Sequence, residues 1–119
     1  MPKTPVINLS ESFANTEAAM DRLRLEIKTM DRLGMPYAKV RHGVAMNPEM
    51  GTLINTLRVT LRQMKDEGTI STYFGGEKFG PFDSDVRKAL RMCPDLRRDE
   101  DWARRNREIS VVILKKFNA

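Results

Sequence analysis

Tyr37, Lys39 and Arg41 alternate along one short segment, a combination suited to nucleic acid. In an extended strand, alternate residues share a face. An aromatic ring on such a face can stack on a base, and the two cations can pair with phosphates. The plainer reading of the same pattern is a solvated outer face of a strand.

Other reactive side chains point to no reaction. His42 is the only histidine, and by strand parity it lies with Val40 and Val44, as a buried, hydrogen-bonded histidine would. One histidine and one cysteine, Cys93, cannot build a zinc site from Cys and His, and a lone cysteine cannot form an intramolecular disulfide. Gly75-Gly76-Glu77-Lys78-Phe79-Gly80 lacks the Gly-Lys-Ser/Thr end of a phosphate loop and reads as a turn. Asp95, Asp99, Glu100 and Asp101 interleave with Arg97, Arg98, Arg104 and Arg105, which reads as a self-compensated helix facing solvent or protein. Trp102 within that run fits either a protein-contact anchor or a core staple. No nucleophile-elbow motif accompanies any serine. The expectation is a protein that is not an enzyme and has no cofactor, metal or small-molecule substrate.

The elements that must position these residues follow from periodicity. Residues 1–9 hold Pro2 and Pro5 and read as an extended arm. Met20, Leu23, Ile27, Met30 and Leu33 recur at helical spacing, so a helix is expected from Ser10 or Ser12 to Leu33, stopped by Gly34 and Pro36. Tyr37 to Met46 alternates as a strand with a basic outer face. Asn47 caps a second helix, with Pro48 at its first position and Leu53, Ile54, Leu57, Leu61 and Met64 as its buried stripe to about Glu67. Thr69 to Phe74 reads as a strand. Residues 75–107 read as an insertion containing a short helix from Asp83 or Ser84 to Met92. Ile109 to Phe117 reads as a buried strand pairing antiparallel with 69–74. The eight methionines fall mostly on the helical stripes and read as core filler. The expected fold is a single α/β (α+β) domain over 10–119, in the order α-β-α-β-β. A three-stranded sheet packs on two helices, with the helical insertion between the last two strands.

Composition is consistent with that domain. The 119 residues are 40% hydrophobic and 31% charged, a globular balance. Lys and Arg number 21 against 16 Asp and Glu, a net charge of +5 that favours a polyanionic partner. No apolar run reaches the ~18 residues of a membrane helix, so no membrane association is expected. Residues 1–9 match neither a signal peptide nor an Arg-rich transit sequence.

Three stretches carry a resemblance. Lys39 to Pro48 is similar to the basic strand and proline-containing turn of the small-subunit ribosomal protein S-eight family. Leu57 to Ile70 is similar to that family's long helix ending in Lys-Glu-Glu-Gly and an aliphatic residue. Arg107 to Phe117 resembles its aliphatic strand ending in Leu-Lys-Tyr. The resemblance covers residues 21–74 and 107–117, the family's N-terminal domain. Glu49-Met50-Gly51-Thr52 departs from the family's Ser-Lys signature, and the family's second domain, with its Ser/Thr-rich rRNA-anchoring loop, has no counterpart here. Mitochondrial members carry a longer insertion between the last two strands. The resemblance implies a structural piece of a small ribosomal subunit, mitochondrial rather than cytoplasmic, with small-subunit rRNA and neighbouring ribosomal proteins as partners. It implies that Arg24, Lys28, Arg32, Lys39 and Arg41 neutralise phosphates, beside Tyr37, and that the Asn47-Pro48 turn approaches the backbone.

The competing expectation is a winged-helix DNA-binding regulator. A helix over 53–67 followed by a hairpin also describes a recognition helix and wing, with Arg58 and Arg62 reading bases. The roughly 30-residue insertion is long for a wing.

Overall fold

The computed structural model describes residues 4–114. Its elements are β1 (Val6–Asn8), α1 (Thr16–Arg32), β2 (Tyr37–Arg41), α2 (Pro48–Asp66), β3 (Thr72–Gly75), α3 (Ser84–Met92) and β4 (Ile109–Ile113), with short 3₁₀ turns at Gly76–Lys78 and Pro94–Arg98. They form an α+β domain with a four-stranded mixed sheet in the order β1-β2-β4-β3. The three later strands are present with narrower bounds than expected, β2 stopping at Arg41, β3 starting at Thr72 and β4 ending at Ile113, and β4 pairs antiparallel with both β2 and β3. The expected continuation of β4 over Lys115–Phe117 lies outside the described residues.

The expected free arm is instead a fourth strand. Val6, Ile7 and Asn8 pair parallel with Lys39, Val40 and Arg41, and Ile7 is fully buried. Pro5 did not prevent this, because its carbonyl accepts from the Lys39 N–H at 3.0 Å and a proline at a strand's start loses no ladder donor.

Local signals set the helix limits. Asn15 and Asn47 each accept a hydrogen bond from the backbone N–H three residues on, Ala18 and Met50, satisfying donors that a helix start leaves open. α1 therefore starts later than Ser10 or Ser12. Both helices end on a glycine with positive φ, Gly34 at 77° and Gly68 at 81°. At each end the glycine N–H and the next N–H close back onto the last turn: Gly34 to Asp31 and Met35 to Met30, Gly68 to Lys65 and Thr69 to Met64.

Connectivity then distributes the layers. β1–α1–β2 joins parallel strands, and β2–α2–β3 joins two strands that lie parallel on either side of β4. Crossovers of one hand that step the same way across a sheet place their helices on the same face. Leu23 and Ile27 of α1 and Leu53, Leu57, Leu61 and Met64 of α2 accordingly share one core with Ile7, Ala38, Val40 and Val112.

The opposite face would be left in water, and residues 76–108 cover it. Phe79, Val86, Ala89, Cys93 and Leu96 form a second core with Tyr37, Phe74, Ile109, Val111 and Ile113. Phe79 stacks tilted on Phe74 at 5.7 Å and meets Trp102 edge-on at 5.3 Å. Gly76 is required here, since a Cβ would collide with the Asn106 carbonyl. The expected insertion is thus the third layer of the domain, which is why β2 and β4 are buried on both faces.

If 76–108 is a layer of the core, Phe79→Ala should lower the unfolding free energy by about 3–5 kcal/mol. Denaturant unfolding followed by the fluorescence of Trp102 and by far-ultraviolet circular dichroism should remain a single coincident transition. An early, separate loss of the Trp102 signal in the unmutated protein would show that the segment is only appended.

Candidate nucleic-acid interface

The residues expected to form one basic ridge are divided by the sheet. α1 packs against the face of β2 that carries Ala38 and Val40, so Arg24, Lys28 and Arg32 lie on that side. Tyr37, Lys39 and Arg41 alternate to the other side, beneath 76–108. No single surface holds both groups.

Lys39 is the clearest correction. It was expected on a solvated basic face, yet only 3% of it is exposed. Its Nζ lies 2.7 Å from Asp101 Oδ2, 3.1 Å from Asp99 Oδ1 and 3.5 Å from Glu100 Oε1. The buried Tyr37 hydroxyl donates to Asp99 Oδ2 at 2.8 Å and accepts from Thr4 at 2.9 Å. Asn106 donates to the second oxygen of Asp101. Neither Tyr37 nor Lys39 is presented to a polynucleotide, because the acidic run, expected to face solvent or protein, closes over them. That run is a 3₁₀ turn and loop rather than a helix.

The remaining expected residues are mostly spoken for. Arg41 is half-buried and pairs with Glu108 at 3.5 Å. Arg24 pairs with Glu67 at 3.4 Å and hydrogen-bonds Gln63. Asn47 spends its side chain on the cap of α2, and Pro48 opens that helix. Lys28 and Arg32 are exposed, with Asp31 adjacent. Trp102 is half-buried against Phe79, which makes it a core staple rather than a free anchor. β2 ends at Arg41, so Val44 and Met46 are exposed instead of continuing the buried face. His42 is buried, and its Nδ1 donates to the Gly43 carbonyl at 2.7 Å, leaving Nε2 to accept from the Ser110 hydroxyl at 3.0 Å. Burial lowers its pKa, favouring the neutral ring this pairing needs.

A different basic site stands beside β3. A groove of about 620 Å³ runs between α2 and the outer edge of the sheet. Arg58, Arg62 and Lys65 line its helical wall, Tyr73 and the β3 backbone its floor, and Lys78, Glu77 and Asp85 its far wall, with Asp66 also on α2. The stripe that buries Leu57, Leu61 and Met64 turns Arg58, Arg62 and Lys65 outward at i, i+4 and i+7, one row on one side of the helix. None of the three, nor Lys78, has an ion pair with an acid among the described residues. β3 is the last strand in the sheet, and no described strand pairs with its outer edge. The site was missed as a whole because its walls come from three elements. The part legible beforehand was Arg58 and Arg62 one turn apart, read only as a recognition helix. Residues 76–108 pack on the sheet and do not project from it as a wing.

Among the described residues, no helix is long and apolar enough to cross a membrane, and no three His, Cys, Asp or Glu side chains cluster as a metal site. The chain has no match among protein-family models, curated proteins or solved structures.

The charges around Lys39 carry a pH signature. Burial alone would lower the Lys39 pKa, but hydrogen bonds to Asp101 and Asp99 outweigh it and hold the ammonium above 10.5. Burial likewise raises Asp101, and Lys39 and Asn106 outweigh it to hold the carboxyl below 3.8. Burial, reinforced by Asp99, pushes Tyr37 up to about 12. The Asp101 contribution to stability is complete above its unfolded value and is lost as pH falls through its folded value. The Lys39 and Tyr37 contributions are complete below their unfolded values and are lost as pH rises through their folded values. Urea melts should therefore show stability from this cluster holding between about pH 5 and 9 and falling outside that window. Lys39→Met should cost about 3–5 kcal/mol at neutral pH, since it strands two acids. A loss below about 1 kcal/mol would mean the cluster is solvated in solution.

Proposed function

We propose that this chain is a non-catalytic RNA-binding protein that holds a polynucleotide in the groove between α2 and β3. The observation that carries the reading is the row Arg58, Arg62 and Lys65 in one groove, none of which forms an ion pair with a described acid, whereas Lys39 is paired inside the protein and Arg41 and Arg24 are paired at its surface. Unpaired guanidinium groups in a concave site suit phosphate oxygens, and each charge-assisted contact adds about 1.5–3 kcal/mol. The net charge of +5 favours approach to a polyanion. The resemblance of residues 21–74 and 107–117 to the S-eight family narrows the partner to small-subunit rRNA. Neighbouring ribosomal proteins would then be contacts, and a mitochondrial ribosome the setting.

Sedimentation tests this. The protein, expressed at native level, should travel with a small ribosomal subunit at moderate salt. The double variant Arg58→Ala/Arg62→Ala should be released, with affinity reduced tenfold or more. A protein running free of ribosomes would end the ribosomal reading. Tight, sequence-selective binding to duplex DNA, abolished by Arg58→Ala, would replace RNA with a winged-helix regulator's target.

A further inference from the structure

We infer that the α2–β3 groove takes an unpaired RNA strand, with phosphates on the helical wall and bases toward the β3 edge and the Glu77–Asp85 wall. The inference rests on the RNA-binding reading and specifies its ligand.

Apart from Asp66 on the helix and Lys78 beside Glu77, cations line one side of the groove and acids the other. Arg58, Arg62 and Lys65 form a straight row on α2, successive members about 5–6 Å apart along the helix surface. A single strand can lay consecutive phosphates along such a row. Opposite stand Glu77 and Asp85, with Lys78 between them in sequence. A carboxylate repels phosphate but accepts hydrogen bonds from the exocyclic amino group of a base, cytosine above all. The backbone of an RNA lying along α2 would thus turn its bases toward these acids. Asp66 on α2 limits the cationic row at the C-terminal end of the helix.

The floor suits bases as well. Tyr73 is half-buried at the bottom and offers an aromatic surface for stacking. The outer edge of β3 offers backbone donors and acceptors that no described strand uses. Base edges can meet both only when they are free of a pairing partner. A duplex presents a convex surface with two lines of phosphates, and its second strand would face Glu77 and Asp85. The deep, narrow major groove of A-form RNA also hides base edges from side chains. A groove of about 620 Å³ therefore favours a few unstacked nucleotides over a helix.

Fluorescence anisotropy with the full chain tests the assignment. The probes are a labelled mixed C/U RNA of about eight nucleotides and a blunt duplex of the same length. The single strand should bind at least tenfold more tightly. Its log K should fall with log salt at a slope of about −2, matching three phosphates. Arg58→Ala/Arg62→Ala should flatten that slope to about −0.7. Glu77→Gln/Asp85→Asn should reduce preference for C over U without steepening the loss in salt. These residues are exposed on the groove walls, so the variants should fold as the parent does. Duplex binding equal to or tighter than single-strand binding, still weakened by the arginine variant, would overturn the inference and leave the RNA reading standing. Failure of both RNAs to bind would sink both. Displacement of the single strand by a poly-glutamate peptide at lower concentration would assign the groove to an acidic protein segment and overturn the inference.

Discussion

The Lys39 ammonium, enclosed by Asp99 and Asp101, is the contact on which the arrangement of the molecule depends. It projects from the middle of β2, the strand that links the parallel half of the sheet to the antiparallel half. Its partners lie 60 and 62 residues later, in the segment that covers the second sheet face. A charge at that depth is tolerable only with partners, and the partners are equally dependent on it. Asp99 is held further by Tyr37, and Thr4 joins the same group. The segment leading into β1, the second strand and the covering segment therefore meet at one polar point within an otherwise apolar interface.

That arrangement decides which cations remain for a ligand. The sheet has two faces, and each is occupied: one by α1 and α2, the other by the 76–108 layer. On β2, the Lys39 charge is consumed inside the protein and Arg41 pairs with Glu108 at the surface. Positive charge on α1 is interleaved with acids, including the Arg22–Glu26 and Arg24–Glu67 pairs. Among the described cations without an ion pair, Arg58, Arg62 and Lys65 stand in a row on the outward side of α2, along a concavity beside the open sheet edge whose other walls carry Glu77 and Asp85. The same helix thus supplies core on one side and the candidate interface on the other.

Periodicity made much of the fold legible. The α1 and α2 stripes, the Asn47-Pro48 start and the Gly34 and Gly68 ends could be read from residue types because each is a local device. β1 could not, because a three-residue strand with a proline before it has no periodic signal and exists only through its parallel partner. The burial of Lys39 was equally hidden. Alternation placed Tyr37, Lys39 and Arg41 together correctly, but whether that face meets water depends on acids 60 and 62 residues beyond Lys39. One hint was available: β4 carries apolar residues on both faces, Ile109, Val111 and Ile113 on one and Val112 on the other, and a strand with one wet face would not. The candidate groove was legible only in fragments, since α2, β3 and the 76–108 layer each contribute a wall.

The central claim is that the Lys39 charge is internal while the charges of the α2–β3 groove are the ones a polynucleotide covers. Quantitative amine labelling of the folded protein, with and without a saturating single-stranded RNA, tests both halves in one experiment. The expected result is that Lys39 resists labelling in both states, Lys65 and Lys78 label readily and become protected by RNA, and Lys28 labels equally in both. Ready labelling of Lys39, or protection of Lys28 while Lys65 and Lys78 stay reactive, would contradict it.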